Sequence, residues 1–173
     1  MYIWSVKKYI FFFLILFWFS CVDSYKKYDD NLLVFKELVE NMNNYFQDSN
    51  QDFNLSKYYA NDFVFHSYPA GNKKGQETLK VDYLNNLKKM KSTGYVLNIV
   101  HSIYLPGIDE ETYDVDGSVR VYYGATLGID TNMVEFSGYM TVNFIDNQIA
   151  EIWEWADYGG VNNHIKDFNK NKN

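Results

Sequence analysis

The segment QIAEIWEWADYGG, residues 148–160, is the most informative stretch of this chain. Alternate side chains of a β-strand share a face, so Trp153, Trp155 and Asp157 point one way. The opposite face then carries Ile152, Glu154 and Ala156. Because solvent-facing strands rarely expose two tryptophans, the tryptophan face is predicted to be buried or to line a cavity. Asp157, at its end, is expected to be paired or functional.

Length and composition indicate one globular domain. The chain has 173 residues, of which 47% are hydrophobic and 19% aromatic, enough for a sizeable core. Its net charge is −6, and Arg120 is its single arginine. Because non-specific nucleic-acid affinity depends on Lys and Arg neutralising phosphates, we expect no nucleic-acid binding.

Residues 1–20 have the layout of a secretory signal peptide. Lys7 and Lys8 precede an apolar run that is short for a membrane span. Removing this segment takes both lysines away and leaves the remaining chain more acidic still.

Cys21 is the single cysteine of the chain, which excludes an intramolecular disulfide. Its position after Ser20 resembles the lipobox of bacterial lipoproteins, although Trp18 and Phe19 depart from the usual residues. We therefore expect export to the bacterial cell envelope, with a lipid on Cys21 as the membrane anchor and residues 21–31 as a polar tether. An uncleaved signal anchor and plain secretion remain the alternatives.

Three helices are predicted before most of the sheet. Between residues 31 and 46, apolar side chains recur at steps of three and four, which is typical of an amphipathic helix. A short helix over 55–61 is expected to lead into a strand over 62–68. A third helix is predicted over 76–90, with Thr93 and Gly94 at its end.

Long strands are predicted over 95–105, 120–129, 133–145 and 148–158. Pro106-Gly107 should break the first strand, Asp116-Gly117 should form a tight hairpin turn, and Asp146-Asn147 should join the last two strands. Successive hairpin-connected strands favour an antiparallel sheet, so the predicted class is α+β with helices gathered on one side. Residues 162–173 are predicted to be a polar, frayed tail.

The order of these elements resembles the SnoaL-like branch of the nuclear transport factor 2-like superfamily. The resemblance rests on four motifs, YYANDFVFH at 58–66, GQE at 75–77, DGSVRVYYGATLGID at 116–130 and IAEIWEWAD at 149–157. It covers residues 32–161, the predicted domain. It implies a cystatin-like cone, in which a curved antiparallel sheet wraps against three N-terminal helices around a pocket. It also implies a homodimer formed through the outer face of the sheet.

Because this scaffold hosts both enzymes and binding proteins, the site has to be argued from its residues. Four polar side chains are expected to face the cone, namely Asp62, His66, His101 and Asp157. A carboxylate desolvated against indoles has a raised pKa, and a nearby histidine lowers it, so Asp157 and His66 could exchange protons near neutral pH. The resemblance supports Asp157, since SnoaL-like cyclases carry an acid–base aspartate late in the sheet.

The predicted ligand contacts are Trp153, Trp155, Tyr123, Asp62 and His101. Tyr123, on the face with Val121 and Ala125, could donate a hydrogen bond to a developing oxyanion.

Each of these residues also has a structural interpretation. In this interpretation Asp157, which precedes Tyr158-Gly159-Gly160, caps the turn that ends the sheet. His66 and His101 could be hydrogen-bonded structural histidines, and the two tryptophans could belong to the core. No clustered ligand spacing is present, so neither a metal nor a cofactor is expected.

Two functional hypotheses follow. The first is a membrane-anchored domain whose aromatic-lined pocket binds an unidentified small apolar or aromatic molecule. The second is an acid–base enzyme of isomerase, cyclase or dehydratase type that uses Asp157 and His66. The first is favoured because a pocket requires only the fold, whereas catalysis requires several residues to converge.

Overall fold

A computed structural model describes residues 3–48, 54–69 and 71–170, with side chains from Tyr25 to Phe168 within these ranges. The architecture is one six-stranded sheet with helices packed on one face. That face is called the inner face below, and the opposite one the outer face. The predicted α+β class is confirmed.

The strands are β1 Tyr59–Ser67, β2 Gln76–Leu79, β3 Tyr95–Ile108, β4 Val115–Ile129, β5 Asn132–Ile145 and β6 Gln148–Ala156. The helices are α1 Ile3–Gln47, α2 Lys80–Ser92 and α3 Tyr158–Lys170, and a 3-10 helix spans Leu55–Tyr58. The strand order across the sheet is β2-β1-β6-β5-β4-β3. As predicted, α1, the 3-10 helix and α2 all precede most of the sheet, and α3 adds a helix after the last strand.

The sheet is mixed rather than fully antiparallel. Strands β3 to β6 form a meander in which each pair is antiparallel. The last strand, β6, then lies parallel to β1, with His66 beside Trp153. The long path from β1 through β2 and α2 to β3 allows this parallel pairing, because parallel neighbours need a long crossover connection.

Helix α1 packs its apolar stripe on β3 and β4. Phe35, Leu38 and Met42 are at most 6% exposed, as the predicted period requires. The side chain of Asn43 reaches the β3 backbone, accepting from the Ile99 N–H at 2.8 Å and donating to the Ile99 carbonyl at 3.0 Å. The Asn43 amide therefore provides hydrogen-bond partners for the backbone of Ile99, next to the position where the register between β3 and β4 shifts.

The predicted signal peptide and lipidation of Cys21 concern side chains outside the described set. Among the described residues, no helix is both long and apolar enough to cross a membrane.

The third helix begins later than predicted. Gln76–Leu79 pair antiparallel with β1 as a short edge strand, and the helix starts only at Lys80. Thr93 and Gly94 end it as expected, with Gly94 at φ +82°, a backbone conformation that glycine adopts at low cost.

The C-terminal segment Tyr158–Lys170 is helical, so the prediction that residues 162–173 are frayed is wrong as far as Lys170, although the segment is mostly polar as predicted. Val161 and Ile165, one helical turn apart, are 3% and 4% exposed and pack with Leu127. Two buried side chains at this spacing fix a helix that is otherwise polar, because packing of one face supplies most helical stability in proteins.

The β3–β4 connection also differs from the prediction. Pro106-Gly107 lie within β3, and Asp116-Gly117 lie within β4. The turn instead spans 109–114, where the Asp109 N–H donates to the Asp114 carbonyl at 2.9 Å. The Asp146-Asn147 turn is confirmed, and both residues have positive φ, 49° and 59°, as a two-residue hairpin turn demands.

Candidate functional site

A cavity of about 520 Å³ lies between the inner face of the sheet, α2 and α3. It is called the inner pocket below. Its wall is mostly apolar and aromatic, and includes Phe65, Tyr83, Leu97, Tyr123, Phe136 and Tyr158. A concave, mainly apolar cavity with a few converging polar groups is the usual form of a small-molecule site.

Glu154 is the acidic side chain in the wall of the inner pocket, and it is 6% exposed. The Tyr123 hydroxyl donates to Oε1 at 2.6 Å, and the Tyr158 hydroxyl donates to Oε2 at 2.9 Å. The two phenols come from β4 and α3, so the site is completed only when the C-terminal helix docks. Both carboxylate oxygens therefore have donors.

Burial raises the pKa of the Glu154 carboxyl, while the hydrogen bonds from Tyr123 and Tyr158 lower it and only partly offset burial. Burial also raises the pKa of Tyr83, Tyr123 and Tyr158, and the charge of Glu154 raises each further. The three phenols therefore keep their protons and act as donors across the physiological range.

Tyr83 brings a third phenol from α2 to the inner pocket. Its ring packs against Tyr59, Phe63 and Phe65, with centroids between 5.1 and 5.5 Å apart. Tyr59 and Phe63 are at most 1% exposed. The aromatic wall is thus held rigidly from behind by the core.

The structure reverses the predicted orientation of β6. Ile152 and Glu154 face inward at 4% and 6% exposure, whereas Trp155 lies on the outer face and is 43% exposed. The indoles therefore do not line the inner pocket, and the predicted burial of their face is wrong for Trp155. Trp155 instead stacks on Tyr68 at a centroid distance of 4.7 Å and an interplanar angle of 5°.

His66 also lies on the outer face, away from the inner pocket. Its ring stacks on Trp153 at a centroid distance of 3.9 Å and an interplanar angle of 12°. Its Nδ1 is 3.8 Å from a Glu77 oxygen and its Nε2 is 3.8 Å from a Glu151 oxygen. The predicted facing of His66 into the cone is therefore wrong.

Asp157 caps α3, as the structural interpretation proposed. Its Oδ1 accepts the Gly160 N–H at 2.8 Å, and its carbonyl accepts the Val161 N–H at 3.1 Å. The side chain is exposed and lines, with Trp155 and Glu154, a second depression of about 610 Å³ at the ends of β1 and β6. Asp157 and His66 are not brought together as a proton-exchanging pair.

The remaining predicted contacts divide between the two faces. Tyr123 lines the inner pocket as expected. His101 is exposed on the outer face of β3, where its ring lies over Gly124 and fills the space that a side chain there would occupy. Asp62 is exposed on β1. Neither residue reaches the inner pocket.

Glu154 was not among the predicted site residues. Trp153 and Trp155, on either side of it, favoured the opposite face of β6 as the wall of the cavity. The signal was present in the alternation, since Glu154 shares its face with Ile152. A bulge between Ile149 and Glu151 also keeps Ile149 on the inner face, which a strict two-residue period hides.

A metal-binding cluster is not evident in the described part of the chain. There, no group of three or more His, Cys, Asp or Glu side chains is placed to hold a metal ion.

Several solved structures share this architecture at low sequence identity. A proposed polyketide cyclase from Xanthomonas campestris pv. campestris aligns with a TM-score of 0.57 at 11% identity, covering 80% of this chain and 98% of that one. A phenazine biosynthesis-related protein from Pseudomonas aeruginosa aligns with a TM-score of 0.60 at 9% identity, covering 83% and 90%. An NTF2-like protein from Burkholderia xenovorans LB400 aligns with a TM-score of 0.55 at 12% identity, covering 79% and 96%.

No protein-family model and no curated protein matches the sequence. At identities this low, the likeness to solved structures establishes the fold and leaves the chemistry to the site itself. The chain has the NTF2-like α+β fold, with helices packed on the inner face of a curved mixed sheet.

Proposed function

We propose that this protein binds a small, mainly apolar or aromatic molecule in the inner pocket. The observation that supports this function is the cavity of about 520 Å³ with an aromatic wall and a single buried carboxyl, held by two phenols. The apolar wall supplies affinity by removing ligand surface from water, and Glu154 with its tyrosines orients the polar end of the ligand.

A cavity-filling substitution tests the location. Asn86 is exposed on α2 and lines the inner pocket, so Asn86→Trp places an indole at its wall without disturbing the core. We expect the neutral aromatic probe N-phenyl-1-naphthylamine to bind the wild-type protein with a rise in fluorescence, and Asn86→Trp to weaken binding by about tenfold or more.

The adjacent Asn85 provides a matched control, because it is exposed on the same helix and is not among the residues that line the inner pocket. Asn85→Trp should leave affinity unchanged. Equal affinity of the two variants and the wild type would place the binding elsewhere. Native mass spectrometry of the purified protein would then identify any molecule that co-purifies.

Acid–base catalysis is the second candidate function, now with Glu154 in place of Asp157 and His66. The specific observation is that burial raises the pKa of Glu154 toward the range in which a carboxyl can both accept and return a proton. Tyr123, which already donates to this carboxyl, could share its donor with an oxyanion that forms nearby.

Turnover separates catalysis from binding alone. If a co-purified molecule is converted, Glu154→Gln should slow conversion by about a hundredfold or more, since positioned proton transfer contributes at least that much. Binding of the neutral probe should persist in the variant. An unchanged rate in Glu154→Gln would exclude Glu154 as the proton carrier.

We further propose export to the cell envelope with a lipid on Cys21. The support comes from the sequence pattern of residues 1–21. In a Gram-negative or Gram-positive bacterial host, the wild-type protein should sediment with membranes and Cys21→Ser should not. Membrane retention of Cys21→Ser would contradict lipidation.

A further inference from the structure

Glu154 has no basic partner among the described residues. Its two oxygens accept only from the phenols of Tyr123 and Tyr158, and the ion pairs formed in the described part of the chain involve other residues. Acidic side chains are almost never this deeply buried unless a partner of opposite charge accompanies them. A buried carboxyl in the wall of a cavity can receive that partner from the ligand.

The rings around the inner pocket suit the same kind of ligand. Phe136 lies 6.2 Å from Tyr123 and 5.7 Å from Tyr158, centroid to centroid, so these rings form one side of the cavity. Phe65 and Tyr83, 5.1 Å apart, form another. Aromatic faces carry negative electrostatic potential, and several of them around one space attract ammonium groups.

We propose that the molecule bound in the inner pocket is an organic cation, with an amine or quaternary ammonium group attached to an apolar or aromatic body. This inference rests on the proposed binding function. The ammonium group lies against the Glu154 carboxylate and the tyrosine faces, and the apolar body extends along the wall formed by Leu97, Ile99 and Met90.

The alternatives fit the cavity less well. An anionic ligand would meet the Glu154 carboxyl inside the pocket, while the cation of the lining, Lys89, is exposed on α2. A neutral ligand would leave the carboxylate without compensation or would require it to stay protonated. The net charge of the chain, −6, also favours the approach of cations over anions.

Cation binding and the protonation of Glu154 should be linked. The titratable or charged groups that face this carboxyl or line its cavities are Tyr59, Tyr68, Tyr83, Tyr95, Tyr123, Tyr158, Lys89 and Asp157. Tyr59, Tyr83, Tyr123 and Tyr158 each have a pKa raised by burial, so none of these four titrates near neutral pH. A bound cation stabilises the charged form of Glu154, so ligand binding should release protons wherever the empty site holds one.

Three probes with one body and different charges test the proposal. They are 4-phenylbutylamine, 4-phenyl-1-butanol and 4-phenylbutyrate, measured by displacement of N-phenyl-1-naphthylamine and by calorimetry in two buffers at pH 7. We expect the amine to bind at least about tenfold more tightly than the alcohol, and the carboxylate most weakly, as a charged hydrogen bond and ring contacts imply.

Glu154→Gln should reduce the preference for the amine over the alcohol to about threefold or less, since the amide cannot offer a negative charge. Glu135→Gln makes the same charge change at an exposed side chain on β5 and should keep the wild-type preference. Even if Glu154→Gln fails to fold, the order of the three affinities for the wild-type protein shows whether the pocket prefers a cation, a neutral molecule or an anion.

The outcomes distinguish this inference from the function on which it rests. If the amine and the alcohol bind wild type equally, or the carboxylate binds best, the cation inference is overturned and the pocket remains. If all three probes and N-phenyl-1-naphthylamine fail to bind, both proposals are overturned.

Discussion

At Glu154, the cost of burying a carboxyl group is opposed by two phenol hydroxyls. Removing an ionised carboxylate from water costs several kcal/mol in a folded protein. A hydrogen bond to a charged group returns about 1.5–3 kcal/mol, so two of them bring the balance close to even. Burial outweighs these two hydrogen bonds, so the pKa of the Glu154 carboxyl is raised.

This balance makes stability depend on pH. Folding raises the pKa of Glu154 above its ordinary value of 4.5, so the folded state binds the proton more tightly than the unfolded state. The wild type should therefore lose stability as pH rises from about 4.5 through the raised pKa. Glu154→Gln, which cannot ionise, should gain stability relative to the wild type over the same interval. Urea unfolding between pH 4 and pH 8 measures the difference.

Glu135→Gln is the control for that comparison, because its side chain is exposed. Its stability should follow the wild-type curve. A stability difference between Glu154→Gln and the wild type that stays constant from pH 4 to pH 8 would show that Glu154 titrates alike in both states.

Tyr123→Phe tests the hydrogen bond that the Tyr123 hydroxyl donates to Glu154. The substitution leaves Oε1 of Glu154 without its donor and should cost about 1–3 kcal/mol of stability at pH 7, where the carboxyl has the greater negative charge. Tyr122→Phe, at the neighbouring position on the exposed outer face, should cost much less. Equal effects of the two substitutions in urea unfolding would contradict the proposed support of Glu154 by Tyr123.

Among the helices, α3 contributes directly to the inner pocket and to the hydrogen bonds of Glu154. It contributes Tyr158, buries Val161 and Ile165, and begins at the Asp157 cap. Its first turn lies beside the inner pocket and its last turns are polar. Docking of this helix therefore couples local helix stability to the geometry around Glu154.

Asp157→Ala should destabilise the protein by about 0.5–2 kcal/mol, the usual cost of losing an N-cap side chain. Because Tyr158 follows the cap, the variant should also weaken binding of N-phenyl-1-naphthylamine. Asp157→Asn keeps a capping oxygen and should restore most of both properties. If Asp157→Asn keeps full stability and full probe binding but no longer converts a co-purified molecule, the result would instead support a catalytic role for Asp157.

At the scale of the whole molecule, the outer face of the sheet presents exposed apolar side chains next to one another. Ile103, Tyr122 and Trp155 are 60%, 51% and 43% exposed, and Tyr139 packs between the last two at 4.8 and 5.7 Å. A contiguous apolar patch on a sheet face is typical of an association surface. We propose that two copies of the chain associate through this face.

The double substitution Ile103→Lys/Tyr122→Glu should convert such a dimer to a monomer, because charged side chains at the centre of an interface are strongly unfavourable. Light scattering coupled to size-exclusion chromatography measures the mass. Val81→Lys, on α2 and 69% exposed, is the control and should remain dimeric. A wild-type protein that is monomeric at all concentrations would end the dimer proposal.

The class of the fold and most of its elements follow from the periodicity of the residues. Periods of two and of three to four residues report which face of a strand or helix is apolar, so the amphipathic part of α1, the long strands and the Asp146-Asn147 turn were all predictable. The helical C-terminus was not predicted: Val161, Ile165 and Phe168 recur at steps of four and three, but two glycines precede them and most of the remaining residues of the segment are polar.

Which face of β6 lines the inner pocket depends, in contrast, on tertiary packing. The alternation of β6 separates Glu154 from Trp153 and Trp155, but both sets are compatible with burial until the neighbouring strands and helices are placed. Docking of α1 and α3 on one side of the sheet buries Glu154 beside Tyr123, which is 31 residues away in sequence, and beside Tyr158 at the start of α3. The stretch of residues 148–160 therefore does hold the site, yet its carboxyl is Glu154, because helix packing rather than local pattern decides which side is inside.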